Sequence, residues 1–371
     1  MEKRKLENLG IETSLLGFGC MRFPTKDGHI EEVEAEQMLD LAYKSGVNYI
    51  DTAWPYHGGE SETFVGKVMK KYPRESFYLA TKLPLWEVHS LDDAKRIFNK
   101  QLEKLQTDYI DFYLCHAFNG QRFDEVVSLG ILDWLDELKA EGKIRYIGFS
   151  FHDSYEVFER IITYRKWDFC QIQYNYMDTN DQAGDKGYAL AEKLNVPLVI
   201  MESIRGGELA SFAPDVEQMF KAVRPEKSIA SWALRWLGTK PQIKVILSGM
   251  SSLPQVEDNL NTFENFEVLN EKELATVDEV VKEIRSRRKV GCTGCRYCMP
   301  CPAGVVIPHI FGLWNKLGMY GNQERSTRSY KQVKPEETAD NCMKCGACEG
   351  VCPQHLSIRD LLEQAHTELL G

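Results

Sequence analysis

The chain has no run of about eighteen apolar residues, the least that spans a bilayer as a helix. Its first residues, Met1 to Gly10, hold no apolar core of the kind that directs secretion. These absences predict a cytoplasmic protein with no membrane partner, in a compartment where thiols stay reduced. An excess of positive charge is also missing: 45 Lys and Arg stand against 55 Asp and Glu, a formal net charge of -10. A continuous basic face for nucleic acid is therefore not expected. The densest basic run, Arg285, Arg287, Arg288 and Lys289, reads as a solvated helix end or linker. Low-complexity segments and solenoid-length repeats are lacking too. Cysteine is scarce before residue 290, where only Cys20, Cys115 and Cys170 occur. Each lies in a β-rich run and is expected as a small buried hydrophobe.

What is present begins with rhythm. Eight short apolar runs follow one another: Leu15–Met21, Val47–Ala53, Phe77–Leu83, Tyr109–His116, Arg145–Ser150, Asp168–Asn175, Pro197–Ser203 and Ile243–Met250. They are continuous rather than alternating, as strands buried on both faces are. Amphipathic stretches separate them, among them Glu31–Gly46, Leu91–Leu105, Ile131–Gly142, Tyr155–Tyr164, Gly187–Leu194, Glu226–Gly238 and Pro254–Phe263. Repeated strand and helix with short links means right-handed crossover units, and eight of them in about 250 residues predict a closed (β/α)8 barrel. A helix from Glu271 to about Arg287 leads out of it. Residues 1–285 are expected to form the barrel and residues 286–371 a small second domain, mainly helical and irregular. In the latter, Pro308–Leu317 and Ile358–Leu369 have helical spacing.

The second region holds the remaining eight cysteines. Cys292, Cys295 and Cys298 are spaced two residues apart, with Cys301 and Pro302 following; Cys342, Cys345 and Cys348 repeat the spacing, with Cys352 and Pro353 after a gap of three. The latter is the bacterial ferredoxin spacing. Three thiolates on one tight loop hold three irons of a cube, and the fourth cysteine serves the other cube. Crossed ligation of two [4Fe-4S] clusters is expected: Cys292, Cys295, Cys298 and Cys352 for one, and Cys342, Cys345, Cys348 and Cys301 for the other. The shorter last gap of the first run makes its fourth ligand the departure from the pattern. Zinc, the alternative, takes two separated pairs of ligands rather than two triplets and two singles.

In a (β/α)8 barrel the chemistry sits where the strands run out at their C-terminal ends. There the sequence places Asp51, with Tyr56 just beyond it, then Lys82, His116, Ser150, Gln171 and Asn175. A Tyr hydroxyl titrates near 10, and a neighbouring Lys ammonium is expected to bring it down. Asp51 would hold Lys82, His116 would donate to a carbonyl oxygen, and Tyr56 would protonate that oxygen as hydride arrives.

The stretches Asn48–Tyr56, Leu79–Lys82, Asp111–His116 and Ile147–Ser150 resemble the aldo-keto reductase family, matching its Asp, Tyr, Lys, His tetrad in order and in strand position. The resemblance covers about Leu6 to Phe263. It implies reduction of an aldehyde or ketone by NADPH or NADH, or the reverse oxidation of an alcohol. It also implies that Ser150 and Gln171 hold the nicotinamide carboxamide. The nucleotide loop would be Leu247–Asn259, with Ser248, Gly249, Gln255 and Asn259 as contacts. Gly249 and Gln255 stand where NADPH-preferring members often carry basic residues, so both NADP and NAD stay open. Met201 stands where many members place an aromatic ring. Arg205 is either a phosphate contact or a structural ion pair, and His57 and His152 lie near the mouth without an assigned role.

A barrel of this kind followed by a ferredoxin-like extension resembles a subgroup of the same family. Nicotinamide delivers two electrons and a cluster takes one, so direct passage needs a carrier such as a flavin; no flavin motif supports one. Three readings follow: a carbonyl reductase with structural or site-tuning clusters, an enzyme whose clusters exchange electrons with a redox partner protein, and a non-enzymatic electron-carrier module.

Overall fold

The computed structural model describes residues Met1–Gly371. Eight parallel strands close into a barrel: β1 (Leu16–Gly19), β2 (Tyr49–Asp51), β3 (Tyr78–Leu83), β4 (Ile110–Phe118), β5 (Ile144–Phe151), β6 (Phe169–Gln173), β7 (Leu198–Met201) and β8 (Ile243–Ser248). Each strand pairs with the next in sequence, and β8 pairs with β1. Every strand falls on one of the eight expected runs, with ends shifted by a residue or two.

The strands carry two cores, as their pleat requires. Tyr49, Ala80, Phe112, Leu114, Phe169, Val199, Val245 and Leu247 form one buried cluster, which fills the barrel's interior. The alternate residues, such as Ile50, Leu79, Tyr113, Cys170, Ile200 and Ile246, belong to a larger cluster shared with the helices. The interior leaves no room for side chains at some positions: a Cβ on Gly148 of β5 would meet the Phe169 ring at 2.6 Å. An antiparallel hairpin, Lys3–Leu6 with Ile11–Ser14, precedes β1, and its Leu6 joins the interior cluster. The hairpin thus closes the end opposite the strands' C-termini.

The helices of this part are α1 (Glu32–Lys44), α2 (Ser61–Met69), α3 (Leu91–Leu105), α4 (Gly120–Ser128), α5 (Ile131–Ala140), α6 (Tyr155–Tyr164) and α7 (Gly184–Lys193). Then follow α8 (Pro214–Lys221), α9 (Ile229–Gly238) and α10 (Leu253–Glu264). Three of them, α2, α4 and α8, lie outside the stretches expected to be helical. In α2 the mid-helix Gly66 reads as a breaker, yet it is a packing requirement, because a Cβ there would lie 2.4 Å from the Lys104 carbonyl oxygen of α3. The stretch Phe118–Glu125 begins as the end of β4 and continues as α4, whose first turn is capped by the Asn119 side chain accepting from the Arg122 N–H.

The chain divides into two compact units. The first comprises Met1–Leu209 and Ala230–Asn270; the second comprises Ala210–Ile229 and Glu271–Gly371. The second unit contains α8, α11 (Glu271–Ser286), α12 (Ile307–Tyr320), α13 (Gln323–Lys331), the single turn α14 (Ala347–Gly350) and α15 (Ile358–Leu370), joined by irregular segments. Its own core is built from Val305, Ile307, Ile310, Phe311, Trp314, Tyr330, Leu362 and Leu369, with six of the clustered cysteines packed against it. No helix is long and apolar enough to cross a membrane.

Candidate active site and cysteine centre

The mouth of the barrel gathers the four residues that the sequence placed at strand ends. Lys82 of β3 is fully buried and donates from Nζ to Asp51 Oδ1 at 2.7 Å and to the Thr52 carbonyl oxygen at 2.7 Å. Its ammonium lies 5.0 Å from the centre of the Tyr56 ring, and its charge acts on the Tyr56 hydroxyl. The Tyr56 and His116 rings meet edge to face at 6.3 Å. Asp51, Tyr56, Lys82 and His116 therefore form one constellation. A buried ion pair is costly to desolvate and earns its place only where further bonds complete it. Here a polar network completes it from behind. Gln101 of α3 donates to the Lys82 carbonyl at 3.0 Å and to Glu62 at 2.7 Å, and Glu62 also accepts from Thr81 at 2.7 Å. This network holds the end of β3 rigid.

Burial and charge set the protonation states. Burial would lower Lys82, but Asp51 and the Tyr56 hydroxyl outweigh it and hold the ammonium above its usual range. Tyr56 is pushed up by burial; Lys82 opposes that push without reversing it. The sequence-based expectation of a lowered Tyr56 is thus corrected: desolvation of the hydroxyl outweighs the pull of one ammonium. His116 is driven well below its usual value, by burial first and then by the charges of Lys82, His152 and Arg122, so its ring is neutral at pH 7. Buried polar atoms around this mouth lack protein partners: Asp51 Oδ2, His57 Nε2, His116 Nδ1 and Gln171 Oε1. Burying such groups is costly unless something bonds them.

The residues expected around a nucleotide are placed as follows. The Ser150 hydroxyl accepts from the Ala117 N–H at 2.7 Å, and Gln171 donates to Met201 Sδ at 3.5 Å, one strand over. In the segment after β8, Asn259 donates to the Ser248 hydroxyl at 2.9 Å and Gln255 accepts from the Ser251 N–H at 2.8 Å. Gly249 lies under Arg22, whose Cγ would be 2.7 Å from a Cβ there. Arg205 is held by Asp178 at 3.3 Å and Glu208 at 3.2 Å, an ion-pair arrangement.

Four side chains escaped the sequence reading. Trp86 lies with its ring 4.9 Å from His116. The Arg122 guanidinium lies 5.5 Å over the Trp86 ring. Arg22 sits on Gly249, and the Cys20 thiol, pushed well up by burial, is close enough to Asp51 and Lys82 to feel both charges. No local pattern announces them: Cys20 and Arg22 follow β1, Trp86 follows β3 and Arg122 lies on α4.

In the second unit the cysteines form two separate groups. Cys292, Cys295, Cys298 and Cys352 line one cavity with Ile307, Phe311 and Ile358. Cys301, Cys342, Cys345 and Cys348 line another with Ile307, Arg359 and Leu362. The two loops share a backbone turn: Gly294 and Arg296 have φ of 72° and 65°, Lys344 and Gly346 φ of 55° and 78°. Left-handed residues on both sides of the middle cysteine curl each loop around a point. Cys295 and Cys345, the middle cysteines, are exposed.

Residues 15–282 match the model of the aldo/keto reductase family, and residues 291–356 that of a 4Fe-4S dicluster domain. The chain is 26% identical to L-galactose dehydrogenase of Arabidopsis thaliana over 77% of its own length and 96% of the relative's. It is 27% identical to the NADH-specific methylglyoxal reductase of Escherichia coli, over 69% of this chain and 89% of that one. Among solved structures it resembles the holo form of an aldo-keto reductase from Bacillus halodurans, with 26% identity, a TM-score of 0.63, and coverage of 76% of this chain and 96% of that one.

Proposed function

Since the chain belongs to the aldo/keto reductase family and is an oxidoreductase with an appended 4Fe-4S domain, we propose that it reduces an aldehyde or ketone with NADH or NADPH, Tyr56 being the general acid. The observation that carries this reading is the convergence of half-buried Tyr56 and His116 on the buried Lys82–Asp51 pair. Gln171 Oε1, buried and without a protein partner, suits the amide N–H of a nicotinamide carboxamide, and Ser150 lies on the neighbouring strand. When bound, the nucleotide supplies hydride. The chain's own residues do the rest. Neutral His116 orients the carbonyl oxygen by donating a hydrogen bond, Tyr56 gives its proton to that oxygen, and Lys82, fixed by Asp51, stabilises the phenolate left behind.

Ser248, Gly249, Gln255 and Asn259 would form the nucleotide loop; they present no cation of their own to a 2′-phosphate, which favours NADH. Arg205 acts as an ion-pair strut in this reading. The test is Tyr56→Phe in the iron–sulfur-replete protein under anaerobic conditions. Aldehyde-dependent oxidation of NADH or NADPH should fall by at least about a hundredfold, the usual share of a general acid. Activity that survives the change overturns the assignment.

The two cysteine groups would each hold one [4Fe-4S] cluster in the crossed arrangement. Their donor set, four thiols around each curled loop, fits iron–sulfur ligation. Zinc takes two separated pairs of ligands, whereas each group here is a triplet of thiols on one loop and a single thiol from the other. Exposure of Cys295 and Cys345 favours a second reading, in which the clusters exchange electrons with a partner protein. Cluster absorption that stays unchanged while nucleotide is consumed with aldehyde removes that second reading.

A further inference from the structure

Most charge at the barrel mouth is paired or neutralised; the exceptions are Arg22, over Gly249, and Arg122, over Trp86. Lys82 is paired with Asp51, and Arg205 with Asp178 and Glu208. His116 and His152 are driven towards the neutral form by burial. Arg122 differs. It is half-buried, its Nη1 donates to the Ala117 carbonyl at 2.8 Å, and it makes no ion pair with any carboxylate. Ala117 directly follows His116. The guanidinium covers the Trp86 ring, the Trp86 ring abuts His116, and the charge of Arg122 reaches both His116 and His152.

Its position is also unfavourable for the helix that bears it. Arg122 is the third residue of α4, in a first turn without an acidic residue. A cation there opposes the positive end of the helix dipole. The Asp153 carboxylate, which accepts from the Gly120 N–H at 2.9 Å, offsets this end of the helix from outside but forms no ion pair with Arg122. Arginine in such a place has donors left over, in a fork that matches an oxyanion.

We propose that Arg122 binds an anionic group, carboxylate or phosphate, carried a short distance from the carbonyl that faces Tyr56 and His116. The substrates are then oxo acids or phosphorylated carbonyl compounds rather than neutral aldehydes. This rests on the carbonyl-reductase reading above. The Trp86 ring forms the wall between the reacting carbonyl and the anion.

The test uses the iron–sulfur-replete full chain and two matched pairs: succinic semialdehyde against butanal, and glyceraldehyde 3-phosphate against glyceraldehyde. Wild type should favour the anionic member of at least one pair by about tenfold or more in kcat/KM, the worth of a charge-assisted hydrogen bond, and chiefly through KM. Which pair shows it tells carboxylate from phosphate. Arg122→Met should erase the preference, and Arg122→Lys should keep part of it. An anion-to-neutral ratio that is equal in wild type and Arg122→Met, or a wild type indifferent to the anion, overturns the proposal. If no protein turns over any aldehyde, the carbonyl-reductase reading fails first. Calorimetric titration with succinate and with inorganic phosphate then still decides on Arg122: binding at least about tenfold weaker in Arg122→Met supports the site, and equal or absent binding in wild type overturns it.

Discussion

At Tyr56 two opposing effects leave a definite sign. Burial raises the hydroxyl and Lys82 pulls it back, so the group remains protonated through neutral pH and gives up its proton only well into the alkaline range. The rate of reduction should therefore fall at high pH, as the acid form is lost. Lys82→Met removes the group that opposes burial, so the alkaline limb should move to still higher pH while kcat drops by about tenfold or more; a pH–rate profile of both proteins checks the pair of effects. His116, lowered by burial, stays neutral below its usual 6.5, so kcat/KM should show no acid limb until pH is well under that value. These four residues were legible in the sequence because Asp51, Lys82 and His116 lie at or near strand ends and Tyr56 just beyond one, and strand ends are readable from apolar runs. Trp86, Arg122 and Arg22 were not. Arg22 meets Gly249 from the other end of the barrel's sequence, and only closure of β8 on β1 brings them together.

Among the elements, the eight barrel strands were legible because burial on both faces leaves an unbroken apolar signature. The amino-terminal hairpin was not: Lys3–Leu6 is polar except for its last residue. That residue closes the interior cluster, so Leu6→Ala should cost about 2–5 kcal/mol, the range for buried Leu truncation, and lower the denaturant midpoint of the barrel without altering its site. Helix α13 was illegible for a similar reason; of Gln323–Lys331 only Ser326 and Tyr330 are buried, which leaves no apolar stripe to read. The Glu62–Gln101–Thr81 network shows the limit from another side. Three polar residues on α2, α3 and β3 become a support for Lys82 only when their elements pack.

For the molecule as a whole, the cysteine spacing predicted a crossed grouping, and the cavities sort the thiols the same way. If each group holds one cluster, then Cys301→Ala and Cys301→Ala/Cys342→Ala should both lose about half of the bound iron, whereas Cys301→Ala/Cys352→Ala should lose nearly all of it. Iron and sulfide analysis of the three proteins distinguishes crossed from sequential grouping, for which Cys301→Ala/Cys342→Ala would lose nearly all of the iron as well. The two compact units are also interleaved along the chain. Ala210–Ile229 packs with residues that follow Asn270, and the barrel's last strand and two of its helices lie between. During synthesis, α8 therefore leaves the ribosome with Val216 and Phe220 still waiting for α11, the helix it packs on. The iron–sulfur part is accordingly no detachable tail: a gene trimmed at Asn270 would yield a barrel with an orphaned, sticky loop after its seventh strand, so any ancestor that lacked the extension needed a different loop there.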